Sequence, residues 1–236
     1  MTLARRLAAE GLGTALLLAV VVGSAIMADR LAGGNAAIAL FANSVASATG
    51  LLALIMAFGA ISGAHFNPVV TLSEAWQGGM EWSDTLPYAA AQVFGAFAGI
   101  AAAHAMFGEP LFAMATLSRT GAALWWSEFM ASFGLIFVTS GCARSRPSLT
   151  PFAVAAYIAS AYWFTASSSF VNPALTLARA ATDTVAGIRF ADVPGYVAAQ
   201  LLGAMAATVL VTWLHSPAKL REPGPDVRRV DLLTAP

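Results

Sequence analysis

Six apolar stretches dominate the pattern of hydrophobic and polar positions along the chain. They cover residues 7–28, 37–61, 85–107, 121–141, 149–166 and 193–214. An α-helix needs about 20 apolar residues to cross a hydrocarbon core of ~30 Å, and each stretch approaches or exceeds that length. The pattern therefore predicts an all-α membrane protein with six transmembrane helices.

Two shorter segments, 67–77 and 172–182, each begin with Asn-Pro. Asparagine is a preferred N-cap, and proline suits the first helical position because its φ angle is fixed and it has no N–H to leave unpaired. About ten helical residues rise ~15 Å, half of the hydrocarbon core. We predict two half-helices that start inside the membrane and meet tip to tip. Their tips form a predicted pore midplane of Asn67, Pro68, Val69, Asn172, Pro173 and Ala174.

The two halves of the chain repeat each other. The sequence Asn-Pro-x-x-Thr-Leu starts at Asn67 and again, 105 residues later, at Asn172. Each repeat holds three spans and one half-helix, over about 5–107 and about 121–214. Because three is an odd number, the second repeat enters the membrane from the opposite face, which predicts an inverted repeat.

The backbone leading into the half-helices, residues 61–66 and 165–171, is predicted to be non-helical at membrane depth. Such backbone is tolerated only where protein buries it or water contacts it, and a water-filled pore meets that demand. Amide N–H groups of the two asparagines and the positive helix ends would orient water there and repel cations. His65 is expected to line the pore on the cytoplasmic side, with a simple loop contact as the alternative.

Composition supports the membrane assignment, since 58% of residues are hydrophobic and 10% are charged. Soluble domains carry about a quarter charged residues. A net charge of zero gives no reason to expect nucleic acid as a partner. The sequence has one cysteine, Cys142, and shows no nucleophile, metal, phosphate or cofactor motif, so we expect no enzymatic activity, no cofactor and no bound metal.

The basic residues predict the orientation. An even number of spans places both termini on one face, and eight of the 12 Lys and Arg residues lie there: Arg5, Arg6, Arg144, Arg146, Lys219, Arg221, Arg228 and Arg229. Cytoplasmic loops carry such an excess, so we predict a multi-pass protein of the plasma (inner) membrane with cytoplasmic termini. Residues 1–215 are predicted to form a single transmembrane channel domain, and 216–236 a disordered cytoplasmic tail.

Several motifs together resemble the aquaporins and aquaglyceroporins, over about residues 5–215. These motifs are the paired Asn-Pro boxes, the segment 61–66 before the first box, and the repeat-related pairs Glu10 with Glu128 and Gln92 with Gln200. The resemblance implies a right-handed helical bundle, a pore in each subunit and a homotetramer. It also implies that Glu10 and Glu128 accept hydrogen bonds from the re-entrant loops, with a proton relay as the alternative. Val69 replaces the family's usual alanine.

The family's selectivity-filter arginine is missing. Its position, three residues after Asn172, is occupied by Leu175. Counting from the boxes places the other filter positions at Thr49 or, without a two-residue shift, Ser47; at Ser169; and at Tyr162 or Ser160. Arg179, one turn beyond Leu175, can restore cation repulsion at the outer mouth. The alternative is that Arg179 extends to the interface or pairs with Asp183.

We therefore expect a passive channel for small uncharged solutes: water, glycerol-like polyols, and neutral arsenite or related metalloid acids. The arginine-free filter resembles the bacterial aquaglyceroporin branch associated with arsenic resistance. One alternative is a strict water channel, narrowed by Arg179 or Tyr162. Inverted repeats with broken helices also build coupled secondary transporters. Such carriers need ion-coordinating groups at the midplane, and apart from Glu10 and Glu128 the sequence has none there, so a carrier is less favoured.

Overall fold

The computed structural model describes residues 1–215, and this part of the chain is helical with no β-strand. Its α-helices are α1 (Leu3–Leu31), α2 (Ala36–Ser62), α3 (Pro68–Trp76), α4 (Trp82–Phe107), α5 (Ala122–Ser145), α6 (Thr150–Phe164), α7 (Pro173–Ala178) and α8 (Val193–Leu214). The tail predicted at 216–236 lies outside the described residues. The N-terminus of α1 marks one end of the bundle, called here the N-terminal end; the other is the opposite end.

Five of the described helices are long and apolar enough to cross a membrane by length and composition: α1, α2, α4, α5 and α8 with the short turn before it. The sixth predicted span, 149–166, corresponds to α6, which has only 15 residues. That length gives about 22 Å of rise. A 3₁₀ turn at Pro147–Leu149 leads directly into α6 and adds about 6 Å, so the combined segment approaches the thickness of the core.

Both Asn-Pro segments form short helices, as their sequences predict. The first, α3, has nine residues with Asn67 as its N-cap. The second, α7, has six residues with Asn172 as its N-cap, and a 3₁₀ turn at Arg179–Ala181 continues it. The predicted end at residue 182 therefore overestimates the α-helical part, because the last turn tightens before Thr182 becomes extended.

Glycines allow the long helices of each repeat to approach closely. In repeat one α1 packs against α4, and in repeat two α5 packs against α8. A Cβ atom on Gly95 would lie 2.1 Å from the carbonyl oxygen of Gly11, and one on Gly203 would lie 2.2 Å from that of Phe129. These glycines occupy equivalent places in the two repeats, so the same backbone contact is made twice.

The half-helices connect the repeats. Leu175 and Ala178 of α7 belong to a buried cluster formed with α1 and α4 of the first repeat. In return, Val69 of α3 packs against Ile136 of α5 and Ala204 of α8. Each half-helix is thus partly buried against the other half of the chain, which fixes its position in the bundle.

We expect Gly95→Ala to destabilise the protein, because the added methyl group would collide with the backbone of α1 and not with a side chain that can move. Overpacking of this kind costs about 1–3 kcal/mol. Gly59→Ala in α2 is the matched control, since its Cβ would meet nothing within 4 Å. Thermal unfolding of the detergent-solubilised proteins should show a lower midpoint for Gly95→Ala alone; equal midpoints would contradict the close approach.

Candidate pore

A cavity of about 270 Å³ lies between the repeats and reaches from one end of the bundle towards the other. Asn67 and Asn172 line its middle. Glu74 and Thr150 line it towards the N-terminal end, and Arg179 lines it towards the opposite end. Most of the remaining wall is apolar, and polar side chains such as Ser47, His65 and Thr139 interrupt it.

The two asparagines cap the half-helices at the centre of this cavity. The side-chain oxygen Oδ1 of Asn67 accepts the backbone N–H of Val69 at 3.1 Å. Oδ1 of Asn172 accepts the N–H of Ala174 at 3.0 Å. These bonds satisfy helix-terminal donors that would otherwise be unpaired inside the membrane.

The amide nitrogens of the same asparagines link the two repeats. Nδ2 of Asn67 donates to the carbonyl of Val171 at 2.8 Å, and Nδ2 of Asn172 donates to the carbonyl of Phe66 at 2.7 Å. Each amide group carries two hydrogens, so one N–H on each side chain is left to face the cavity. The sequence predicted free donors at this point, but not that half of them would hold the opposite loop.

The loops before the half-helices share an unusual backbone path. Phe66 and Val171, immediately before the asparagines, have φ angles of +50° and +48°. Ala64 and Ser169, two residues earlier, have φ angles of +52° and +54°. Positive φ is strained for residues other than glycine, at about 1–3 kcal/mol each, and it persists only where surrounding contacts impose it.

In repeat one the contact that imposes these φ angles is made by the buried carboxylate of Glu10. Its Oε1 accepts the backbone N–H of His65 at 3.0 Å and the hydroxyl of Ser62 at 2.7 Å. Its Oε2 accepts the N–H of Phe66 at 2.7 Å and the amide of Gln92 at 2.8 Å. Both oxygens are therefore engaged by the loop and by α4.

In repeat two Glu128 makes the equivalent contacts. It accepts the backbone N–H groups of Phe170 and Val171, each at 2.9 Å, and the amide of Gln200 at 2.6 Å. Glu128 is fully buried, and neither it nor Glu10 lines the cavity. This geometry favours the interpretation of a structural brace over that of a proton relay.

Several predicted filter residues meet in the cavity wall towards the opposite end. Leu175, Tyr162 and Ser169 all line the cavity. The hydroxyl of Tyr162 donates to Oγ of Ser47 at 3.0 Å, and Ser47 lines the cavity as well. Oγ of Ser169 is buried and has no hydrogen-bond partner in the described part of the chain. This level of the cavity combines an apolar side with hydroxyl groups.

The predictions of Thr49 and of the alternative Ser160 are wrong. Thr49 is exposed on the outer surface of α2, and its hydroxyl donates to the carbonyl of Val45 in its own helix at 2.8 Å. Ser160 is likewise exposed and bonded to its own helix. Two residues turn an α-helix by about 200°, so the shift of two positions moved the prediction from the pore side to the outside. Ser47 and Tyr162 occupy the pore side.

Arg179 does not follow the alternative interpretation, in which it extends to the interface or pairs with Asp183. It is only 8% exposed, lines the cavity, donates from Nε to the carbonyl of Ala186, and places its guanidinium 3.4 Å from the ring centre of Phe170. Asp183 instead accepts both the N–H and the hydroxyl of Thr116 at 2.9 Å. These hydrogen bonds hold the pKa of Asp183 below its usual value.

The remaining predicted residues divide between wall and support. His65 lines the cavity, and its Nδ1 lies 3.1 Å from the hydroxyl of Thr71. The other four midplane residues do not contribute to the cavity lining but start or pack the half-helices: Pro68, Val69, Pro173 and Ala174. The cavity wall also includes residues that were not predicted, among them Val70 and Glu74. The internal repeat contains the signal for them, since they are the equivalents of Leu175 and Arg179.

We expect Glu10→Gln and Glu128→Gln to destabilise the protein. A glutamine presents a donor where an acceptor is needed, so at least one buried N–H loses its partner, at about 1–3 kcal/mol. Glu109→Gln is the control, because Glu109 forms only a partly exposed ion pair with Arg30. Thermal unfolding in detergent should separate the first two variants from the third. Similar midpoints for all three would rule out the brace.

Ser47→Ala should change the solute selectivity of the cavity, because it removes the acceptor of the Tyr162 hydroxyl and enlarges the wall at that level. Thr49→Val is the matched control on the outer surface of α2. We expect stopped-flow light scattering of proteoliposomes to show a changed ratio of glycerol to water permeability for Ser47→Ala only. If only Thr49→Val changes this permeability ratio, residue 49 and not residue 47 forms part of the filter.

Comparison with known proteins identifies this architecture. The family model for major intrinsic protein matches residues 1–124 and 116–229, one match for each half of the chain. Aquaglyceroporin AqpS of Rhizobium meliloti (strain 1021) is 48% identical over 234 residues, which cover 99% of this chain and 98% of that protein. Aquaporin NIP1-3 of Oryza sativa subsp. japonica is 35% identical over 214 residues, covering 86% of this chain and 71% of that protein.

The fold agrees with these relationships. The X-ray structure of the aquaglyceroporin from Plasmodium falciparum superposes with a TM-score of 0.68 at 19% identity, covering 90% of this chain and 95% of that one. This match confirms the predicted fold class, an aquaporin-like all-α membrane protein. With the family model matching both halves and relatives aligned along most of its length, the chain belongs to the major intrinsic protein family, whose aquaglyceroporins are channels and not enzymes.

Proposed function

We propose that this protein is a passive channel for small uncharged solutes, with a selectivity filter wider than that of a strict water channel. The observation that carries the proposal is Leu175, which lines the cavity three residues after Asn172. An arginine at this position would occupy width, donate hydrogen bonds and repel cations. Leucine can neither donate a hydrogen bond nor repel cations, and its shorter side chain reaches less far across the cavity, so we expect the constriction to admit larger neutral molecules.

The chemistry of the wall suits a polyol or a neutral hydroxy acid. Ser47 and Tyr162 carry hydroxyl groups and line the cavity together with Leu175, so a solute meets hydroxyl-bearing side chains as well as an apolar one. Glycerol and arsenite in its trihydroxy form both combine several hydroxyl groups with a small compact body. The similarity to a protein named aquaglyceroporin over nearly the whole chain supports glycerol as a solute. The proposal of arsenite and related metalloid acids as solutes rests on the resemblance of the arginine-free filter to the bacterial aquaglyceroporin branch associated with arsenic resistance.

Passive flux is favoured over ion-coupled transport because the intramembrane carboxylates are already engaged. Glu10 and Glu128 use both oxygens on backbone and glutamine donors, and they do not face the cavity. At the midplane, the remaining N–H of Asn67 and of Asn172 would orient water with its oxygen inward. A strict water channel is the second candidate, because Arg179 and Tyr162 both line the cavity and occupy width there.

We further propose that residues 1–215 act as a single channel domain in the plasma (inner) membrane, with the N-terminal end of the bundle in the cytoplasm. The unequal distribution of Lys and Arg supports this orientation. A homotetramer, as in the family resemblance, would cover apolar side chains that one subunit leaves exposed. On α2, for example, Phe41 is 61% exposed and Met56 is 62% exposed.

Uptake into proteoliposomes tests the proposed function. We expect the protein to raise the permeability to water, glycerol and neutral arsenite above that of empty liposomes, with a linear dependence on solute concentration. Fast water flux without glycerol or arsenite flux would favour the strict water channel. Saturable flux that follows an ion gradient would favour a carrier.

Leu175→Arg should narrow the range of solutes. The guanidinium would fill the constriction, so we expect glycerol flux to fall at least about tenfold relative to water flux, a loss equivalent to about 1.4 kcal/mol of barrier. Leu175→Met is the matched control, because it keeps the volume and lacks charge. An unchanged glycerol-to-water ratio in Leu175→Arg would mean that the constriction lies elsewhere.

A further inference from the structure

The two half-helices present the same three positions to the cavity. Asn67 and Asn172 come first, Val70 and Leu175 follow three residues later, and Glu74 and Arg179 follow at the seventh residue. Residues spaced by three or four, and then by seven, share one face of a helix. Within this repeated register the first positions are identical and the second are both apolar. The third positions carry opposite charges.

Arg179 brings a positive charge to the opposite end of the cavity. It forms no ion pair among residues 1–215, and its recorded hydrogen bond is to the carbonyl of Ala186. Arg119 lies over the same Phe170 ring at 5.1 Å and donates to the carbonyls of Gly187 and Val185. Carbonyl acceptors position both guanidinium groups without neutralising their charge.

None of the four acidic residues that the structure describes at that end lines the cavity: Asp29, Glu109, Asp183 and Asp192. Asp183 accepts from Thr116, and Asp192 pairs with Arg189 at 2.9 Å. Asp192 also accepts the backbone N–H of Arg119, so it approaches the main chain of that residue and not its guanidinium. Arg179 is therefore the charged side chain that the cavity wall presents at this end.

Glu74 brings a negative charge to the N-terminal end. It is half-buried in the cavity wall, and its carboxylate lies against Gly79, where a Cβ atom would come within 1.9 Å of Oε1. None of the described arginines at this end lines the cavity: Arg6 pairs with Asp84, Arg144 donates to Oε1 of Gln77, and Arg5 and Arg146 are exposed. Over the described part of the chain Glu74 forms no ion pair, so its charge is not neutralised at the cavity wall.

The two charges are too far apart to cancel. Seven residues of helix place each of them about 10 Å from its asparagine, hence about 20 Å from one another along the cavity. The Debye length at physiological ionic strength is about 8 Å. Each charge therefore acts separately on an ion at its own mouth, and low-dielectric walls strengthen that effect.

We propose that Arg179 and Glu74 form a two-ended charge filter, in which the guanidinium at one mouth rejects cations and the carboxylate at the other rejects anions. This proposal rests on the proposed channel function and explains how a pore without the filter arginine excludes ions. Size selection is made at the level of Leu175. Cations are rejected by Arg179 one turn outside that level, and anions are rejected by Glu74 at the other mouth. Uncharged solutes meet neither barrier.

Ion and glycerol permeabilities of proteoliposomes, measured side by side, test the charge filter. We expect Arg179→Gln to raise the ratio of potassium to glycerol permeability by about tenfold or more. Glu74→Gln should raise the ratio of chloride to glycerol permeability, and Arg179→Lys should keep potassium excluded. Arg30→Gln and Glu81→Gln are the matched controls, because Arg30 pairs with Glu109 and neither residue lines the cavity.

The outcomes separate this inference from the proposed function. Glycerol flux in the wild-type protein tests the channel itself, whereas the ion ratios test the filter only. Glycerol-conducting Arg179→Gln and Glu74→Gln proteins that remain tight to both ions would overturn the filter. If Arg179→Gln does not fold, Glu74→Gln decides alone: a chloride leak supports the filter, and its absence overturns it.

Discussion

Hydrogen-bond donors in the re-entrant loops have to be satisfied at membrane depth, and the rest of the structure depends on this constraint. An unpaired backbone N–H in hydrocarbon costs several kcal/mol, and the positive φ angles of these loops prevent a continuous helical ladder of hydrogen bonds. Glu10 and Glu128 accept the N–H groups next to the asparagines. A buried carboxylate is stable there because each of its oxygens meets donors, and these hydrogen bonds offset both the cost of burying the charge and the strain of the loop.

The same constraint explains which features the two repeats share. Each carboxylate, its glutamine partner and its asparagine form one unit that holds a half-helix at the centre of the bundle, and both copies keep this unit. The asparagines then tie each loop to the other repeat through Val171 and Phe66. Residues that hold the framework are therefore duplicated, whereas residues that face the solute are free to differ between the copies.

Much of this framework could be predicted from the sequence. Asn-Pro specifies a helix start through local chemistry, and its repetition at a spacing of 105 residues reveals the duplication. The filter positions could not be fixed in the same way, because counting across a loop of uncertain length leaves the helical register open. For Thr49 and Ser160 a shift of two residues reversed the face of the helix. The orientation of the Arg179 side chain could not be predicted either, because it depends on the later loop that brings the carbonyl of Ala186 to it.

The displacement of the arginine has a physical consequence for selectivity. A guanidinium at residue 175 would reject cations and fill the constriction at once, so charge exclusion and small pore size would be inseparable. Four residues further along, stacked on Phe170, the guanidinium still contributes its field to the mouth while Leu175 forms the wall at the constriction. A field acts over several ångströms but a side chain blocks only the space that it occupies. In the proposed filter, a charge one turn further out therefore keeps an electrostatic barrier at the mouth and lowers the steric barrier at residue 175.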